Sequence, residues 1–511
     1  MKKLLKNKTA AVLVFAMIVS VFTPIIAFAA TFNVTQNNNQ LSGSVTLTDA
    51  EYSALTGDRS TITVGVYGPN GQYGVATATY SNGAYVFDQA ITITQNTYLQ
   101  YGPTSRTVGE YTYSTSNGSS AYFPPVTMDV INADGTVNRD ALINLFNANA
   151  DATVSSKSDV VLLPADALAK GKSLTIILEN GTSYTLPIAA LKLEDLAKSL
   201  GVELKDLVIR VELKKVTGDT ADKIGAAVTA AGGKQVAPAV DFKVVAVGGG
   251  KEQEITTFGQ YVNRTIGLNE VAADTSNLVG VLYDPATGTF TFVPTTFNTE
   301  NGKTIATLKR NGNSIYTVIQ AKAVSFADLA GNWAQKDVEA LASKLIVNGT
   351  SANKFEPKRN ITRAEFAALV VRALGLEVSG STSQFKDVAS NQWYAATVAT
   401  AVKAGLITGY EDGTFKPNAN ITRKELSAIV ARALKFAGKD VTLTDAQVST
   451  ALASFKDADS LGWAKGEVAV VVSEGIVKGQ TATTVVGNAN ANRAEAATMI
   501  ARFLGNVGFI K

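Results

Sequence analysis

Three arginines, Arg363, Arg423 and Arg493, stand 60 and then 70 residues apart, and each is followed two residues later by a glutamate, Glu365, Glu425 or Glu495. The residue before each arginine is Thr362, Thr422 or Asn492. Thr and Asn are N-cap residues, and a Glu three positions on completes the pattern of a capping box. The arginine then falls at the first helical position, where the macrodipole is positive and a cation is disfavoured by roughly 0.3–1 kcal/mol. Free amides at a helix start, with a guanidinium fork beside them, make an anion site. The other reading is an ion pair to an acid of a neighbouring unit, with Asp328, Asp387 and Asp457 as candidates.

The elements that must position these groups recur with the same two spacings. Trp333, Trp393 and Trp463 are the chain's three tryptophans. Phe326-x-Asp328, Phe385-x-Asp387 and Phe455-x-Asp457 open the units, and Gly349, Gly409 and Gly479 recur midway. Such agreement at several landmarks marks an internal repeat. Each unit reads as helix, loop, helix. The loop of the first unit carries Phe355-Glu356-Pro357, matched by Phe415-Lys416-Pro417 in the second. The second helix of the first unit shows Phe366, Leu369, Val370, Ala373 and Leu374, one apolar face at a 3.6-residue period. Two such helices cannot bury their faces alone, so the three units are expected to pack together and to fold as one compact domain. Each Asp could cap the first helix of its unit.

Phe-x-Asp, Trp, Gly-Tyr, Phe-x-Pro and Ile-Thr-Arg-x-Glu, in this order, resemble the S-layer homology family. The resemblance covers residues 326–375, 385–436 and 455–505, roughly a third of the chain. It implies a pseudo-threefold, trimer-like α-helical bundle. It also implies binding of secondary cell-wall polysaccharide, often carrying pyruvate ketals, in grooves between repeats. On that reading Asp328, Trp333, Gly349, Arg363, Asp387, Trp393, Gly409, Arg423, Asp457, Trp463 and Arg493 are the polysaccharide-binding candidates, and Thr362, Glu365, Thr422, Glu425, Asn492 and Glu495 cap helices. The ketal carboxylate would meet the arginines. The tryptophans would stack on sugar rings or anchor the bundle, and the aspartates would accept sugar hydroxyls or serve as caps. The third unit departs from the pattern: Val485 replaces the loop Phe, Gly487 the Pro, Asn492 the Thr, and Gln480 stands where the second unit has Tyr410.

The rest of the chain reads as export and display. Lys2, Lys3, Lys6 and Lys8, an apolar stretch over Ala10 to Phe22 and the small-x-small triplet Ala27-Phe28-Ala29 form a signal peptide over residues 1–29, cleaved before Ala30. The whole chain has 46 basic and 43 acidic residues. Removing this segment takes four lysines and no acids, leaving 42 basic residues against 43 acidic ones and a net charge of −1. That balance speaks against bulk nucleic-acid binding. The sequence has no Cys and no His. Disulfides, imidazole bases, Ser-His-Asp and Cys-His catalysis and His-zinc sites are thereby excluded. No cofactor, metal or catalytic constellation is expected. No second hydrophobic span and no C-terminal sorting signal are seen, so the exported chain is expected to hold the wall non-covalently.

Residues 30–125 read as an all-β, sandwich-like module, with Asn82-Gly83 as a tight hairpin turn. Pro124-Pro125 suggests a linker. Residues 126–322 read as a β-rich α+β module. In it Leu207 to Lys214 alternates as a half-buried strand, residues 194–200 form a helix stopped by Gly201, and hairpins are expected around Asp284 to Gly288 and around Asn311 to Asn313. Gly248-Gly249-Gly250 lacks the Lys-Ser/Thr of a phosphate loop and reads as a turn. Asn132 to Gly135 lacks the bidentate Glu of a calcium loop. The leading expectation is a structural S-layer or S-layer-like protein of a Gram-positive-type cell wall, with self-assembly through the N-terminal modules. A wall-anchored adhesin comes second, and a wall-anchored hydrolase working with paired carboxylates third.

Overall fold

The computed structural model describes residues 31–37, 40–47, 60–68, 71–89, 97–102, 109–113, 130–300, 302–378 and 383–510. The signal peptide and the Pro124-Pro125 linker lie outside the described residues. The chain divides into two compact units, Met1–Met128 and Asp129–Lys511.

In the first unit, β1 (Thr31–Asn37), β2 (Gln40–Thr46), β3 (Thr61–Gly68), β4 (Gly71–Ser81), β5 (Ala84–Gln89), β6 (Thr97–Gly102) and β7 (Gly109–Tyr113) pair in the order β1-β2-β5-β4-β3-β6-β7. Ile62 and Val64 of β3, Ala76 and Ala78 of β4 and Tyr85 and Phe87 of β5 are buried, the alternation that a one-sided strand requires. Asn82 and Gly83 both take positive φ, 52° and 85°, and close the β4–β5 hairpin, as an Asn-Gly pair can at little steric cost. Among the described residues these strands form one hydrogen-bonded sheet, where a sandwich has two.

The second unit begins with two sheets. Strands β8 (Asp151–Ser156), β10 (Ser173–Leu178), β11 (Ser183–Pro187), β16 (Thr257–Gly267), β19 (Thr295–Glu300) and β20 (Lys303–Gly312) form one, in the order β19-β20-β16-β11-β10-β8. The other runs β18 (Thr289–Val293), β17 (Leu278–Asp284), β21 (Ile315–Gln320), β14 (Val240–Gly248), β12 (Val208–Lys215) and β9 (Val160–Pro164), with β13 (Lys234–Gln235) on β21 and β15 (Lys251–Glu254) on β14. Their apolar residues share a core that includes Ile176, Leu186, Val211, Phe242, Ile266 and Val318. Helices α1 (Arg139–Ala148), α2 (Leu193–Leu200) and α3 (Gly218–Ala230) flank the sheets. Gly201 ends α2 in a left-handed conformation, and Gly248 to Lys251 is the β14–β15 turn. The hairpin expected around Asn311 to Asn313 does not form: β20 and β21 belong to different sheets, and the chain crosses between them there. Period-2 alternation fixes which face of a strand is buried but not which sheet the strand joins.

The repeats follow as three helix pairs: α4 (Gln335–Ser343) and α5 (Arg363–Ala373), α6 (Ala395–Lys403) and α7 (Arg423–Phe436), α9 (Lys465–Ser473) and α10 (Arg493–Asn506). Helix α8 (Asp445–Leu452) lies between the second and third pairs, where the longer 70-residue spacing falls. The loops entering α5, α7 and α10 join in a closed circuit. The Ile421 amide donates to the Ile361 carbonyl (3.1 Å), the Ala491 amide to Ile421 (2.9 Å), and the Ile361 amide to Ala491 (3.0 Å). The repeat helices also share a core with the preceding β module, through Ile224, Val279, Val281, Tyr283, Phe292 and Ile319.

Candidate functional site

Each second helix opens as its local sequence dictates. The Glu365 amide donates to the Thr362 hydroxyl (3.2 Å) and the Glu365 carboxylate accepts from the Thr362 amide (2.9 Å). Thr422 with Glu425 and Asn492 with Glu495 repeat both halves of the box.

The helix starts are not free anion sites. The amides of Arg363 and Ala364 donate to the carbonyls of Ala419 and Pro417 in the next repeat, both at 3.0 Å. Those of Arg423 and Lys424 reach Ala489 and Gly487, and those of Arg493 and Ala494 close onto Arg359 and Pro357. With the third amide taken by the cap, the sequence-based premise of open donors fails. The reason is long-range: each loop lies against the start of the preceding repeat's second helix.

The arginines follow the same circuit. Arg363 is only 5% exposed. Its Nε donates to the Phe415 carbonyl (2.8 Å), its Nη1 pairs with Glu425 (3.0 Å), and its guanidinium lies over the rings of Tyr410 (4.7 Å) and Phe415 (5.0 Å). Arg423 is 7% exposed and reaches the Val485 carbonyl (3.0 Å) and Glu495 (2.5 Å). Arg493 reaches the Phe355 and Asn348 carbonyls, both at 2.8 Å, but stands 3.8 Å from Glu365. The acids that meet the arginines are therefore the capping glutamates of the next repeat, not Asp328, Asp387 or Asp457.

Those aspartates hold the loops. Asp328 accepts from the amides of Phe355 (2.9 Å) and Glu356 (2.7 Å), Asp387 from Phe415 and Lys416, and Asp457 from Val485 and Val486. Glu356, Lys416 and Val486 all take positive φ, which is strained for such residues, and the carboxylate fixes them there. Burial alone would raise the pKa of Asp328; the Phe355 and Glu356 amides overcome this and hold it below the usual carboxylate range. The aspartates thus cap the loop and not the first helix, whose N-cap residues are Ala334, Tyr394 and Ala464. Gly409 has a similar cause, since a Cβ there would lie 2.1 Å from the Phe385 ring.

The tryptophans do the reverse of packing. Trp333, Trp393 and Trp463 are 64%, 62% and 60% exposed. Trp393 and Trp463 each wall a groove between repeats. The first groove, about 230 Å³, combines Asn348, Gly349 and Thr350 of the first repeat with Arg359, Arg372, Trp393 and Arg493. The second, about 580 Å³, combines Thr408, Gly409 and Tyr410 of the second repeat with Arg363, Arg432 and Trp463. Both have the same plan: a glycine loop and second helix from one repeat, the tryptophan of the next, and the arginine of the one before. Trp333 lines neither. Arg359, Arg372 and Arg432 escaped the reading of the sequence. Arg372, Arg432 and Arg502 keep the 60 and 70 spacings. A cation embedded in the apolar run of each second helix was the signal available.

Residues 325–367, 384–427 and 454–497 match the S-layer homology domain. Relatives match part of this chain. The amylopullulanase of Thermoanaerobacterium thermosulfurigenes is 33% identical over half of this chain and 13% of its own length. The surface-layer 125 kDa protein of Lysinibacillus sphaericus is 29% identical over 40% of this chain and 17% of its own length. The cellulosome-anchoring protein of Acetivibrio thermocellus is 33% identical over 31% of this chain and 35% of its own length. The chain thus spans about a third or less of the length of these relatives.

Proposed function

We propose that the chain, with three S-layer homology domains in its C-terminal third, is held non-covalently at the cell-wall surface by those domains. The ligand on this reading is a secondary cell-wall polysaccharide bearing pyruvate ketals, and the closed circuit of loops is a pseudo-threefold bundle. Residues 30–125 and 126–322 are displayed outward as modules of a structural S-layer or S-layer-like protein, after removal of residues 1–29.

One observation carries the reading. Two tryptophans more than half exposed wall grooves that also hold arginines and backbone polar groups. A large apolar ring left in water at matched positions has no folding rationale, whereas an exposed aromatic face stacks on the apolar face of a sugar ring. The relatives named as surface-layer and cellulosome-anchoring proteins support the same reading. The amylopullulanase among them favours a second reading, a wall-held glycan hydrolase.

Co-sedimentation of the chain with purified cell-wall sacculi, before and after extraction of the wall polymer, tests the anchor. Binding should vanish with the polymer, and retention on extracted peptidoglycan would sink the reading. Release of reducing sugar from wall or plant glycans by the chain would replace the structural role with the hydrolytic one.

A further inference from the structure

The two grooves share a plan but not a charge. The first is lined by Arg359, Arg372 and Arg493 against one carboxylate, Glu365. The second is lined by Arg363 and Arg432 against three, Glu411, Asp412 and Glu425. The difference arises at matched positions. Arg359 corresponds to Ala419, while Ser351 and Ala352 correspond to Glu411 and Asp412.

The pairing sharpens the contrast. In the second groove Arg363 is neutralised by Glu425 at 3.0 Å. In the first, Glu365 is taken by Arg359 at 2.6 Å and leaves Arg493 at 3.8 Å. Arg372 is half-buried, and its side chain has no hydrogen bond or ion pair among the described residues. Arg372 therefore faces the first groove without a counter-charge, and Arg493 with only a long contact to a carboxylate that Arg359 already holds. Burial, and then the positive Arg359 beside it, work against the charge on Arg493, and burial does the same at Arg372. An anion bound between them relieves both, because removing an ion from water is offset by an opposite charge at contact distance.

We propose that the grooves divide the recognition of the polymer: the first takes its anionic substituent, a carboxylate or phosphate, through Arg372 and Arg493 with Arg359 beside them. The second, lined by more acids than arginines, takes an uncharged sugar against Trp463 and Tyr410. This rests on the reading above that the grooves hold the wall polymer. It also shifts the anion from the well-paired Arg363 and Arg423 to the third repeat's Arg493, although the third repeat departs most from the pattern.

The test is isothermal titration of the full chain with three polymer samples: intact, stripped of ketals by mild acid, and stripped of phosphate by hydrofluoric acid. The native chain should prefer intact polymer over one stripped form roughly ten- to hundredfold, the effect of a charge-assisted contact, and the form that loses affinity identifies the anion. Arg372→Gln should remove the preference while leaving the melting temperature unchanged. Arg359→Ala, which places in the first repeat the residue the second already has, should reduce it. Arg432→Gln should weaken binding of all three polymers alike and keep the preference. If Arg432→Gln abolishes the preference and Arg372→Gln keeps it, the assignment of grooves is wrong. If the native chain binds all three polymers equally, the anionic role is wrong and anchoring stands. If it binds none, anchoring fails and this inference with it.

Discussion

Replacing Arg363 with Ala should unfold the repeats more readily, although the residue sits where a helix ordinarily disfavours a cation. The change removes a charged hydrogen bond to the buried Phe415 carbonyl, contacts with two aromatic rings, and the cation facing Glu425. A charged hydrogen bond contributes about 1.5–3 kcal/mol and a cation–π contact about 0.5–1 kcal/mol. Relief of the unfavourable dipole returns roughly 0.3–1 kcal/mol. Glu425 keeps its bonds from Thr422 and Tyr410 and its side chain is 16% exposed, so the stranded carboxylate adds less than a fully buried one. The net loss is about 3 kcal/mol. Trp333, Trp393 and Trp463 are the chain's three tryptophans and all lie in the repeats, so urea unfolding followed by tryptophan fluorescence reports this region alone. A double-mutant cycle with Glu425→Gln should give a coupling above about 1 kcal/mol. A loss below about 1 kcal/mol, with no coupling, would refute the structural role and return Arg363 to the ligand.

Thr422→Ala removes a cap and should lower stability by roughly 1 kcal/mol in the same assay, less than Arg363→Ala. Gly409→Ala places a methyl group 2.1 Å from the Phe385 ring, and circular-dichroism melting should show a loss of about 2–3 kcal/mol. The fold should also weaken in acid. Burial alone would raise the pKa of Glu425, but hydrogen bonds from Thr422 and Tyr410 and the charge of Arg363 hold it below its ordinary value of 4.5. A depressed folded pKa gives stability that is full above the unfolded value and is lost as pH falls through the folded one. The melting temperature should therefore fall below about pH 4.5, and less steeply in Glu425→Gln. Finally, residues 323–511 produced alone should melt below residues 129–511 and bind a hydrophobic dye, because truncation bares the shared core.

What could be read from the sequence was local. A capping box spans three residues, and the Asn82-Gly83 turn spans two, so residue type suffices for both. The repeat was legible because it needs only matched spacing. What failed was pairing over distance. Arg363 meets an acid 62 residues away, and its choice of Glu425 over an aspartate depends on how repeats stack, which no periodicity encodes. For the same reason the helix-start amides seemed open, since their acceptors lie in another repeat. Tryptophan is usually buried, and nothing in its spacing said that these three would face solvent. The groove arginines could have been found, because a charged residue at a matched place in three apolar runs needs a reason.

The shared core gives the anchor a mechanical meaning that separate modules would lack. Tyr261 of the β module packs its ring 4.9 Å from Phe509 and 5.9 Å from Phe436, and its hydroxyl donates to the Leu374 carbonyl at 2.7 Å. Burial drives the Tyr261 pKa up, so the phenol stays a neutral donor in that setting. The Thr295 amide of β19 donates to the Phe509 carbonyl (2.9 Å), and Lys344, itself buried, reaches the Ser276 and Leu278 carbonyls. These bonds tie the β module to the first repeat at Lys344 and Leu374 and to the C-terminal end at Phe509. A flexible linker lets an anchored module take any orientation, whereas a contact that buries aromatic rings and satisfies backbone groups fixes one. Helix α5 carries Arg372 in the first groove, and the next residue but one, Leu374, receives the Tyr261 hydroxyl. The residues that would hold the polymer and those that hold the β module thus stand within two positions of each other. Polymer bound in that groove would set the direction of the β module as well as its place.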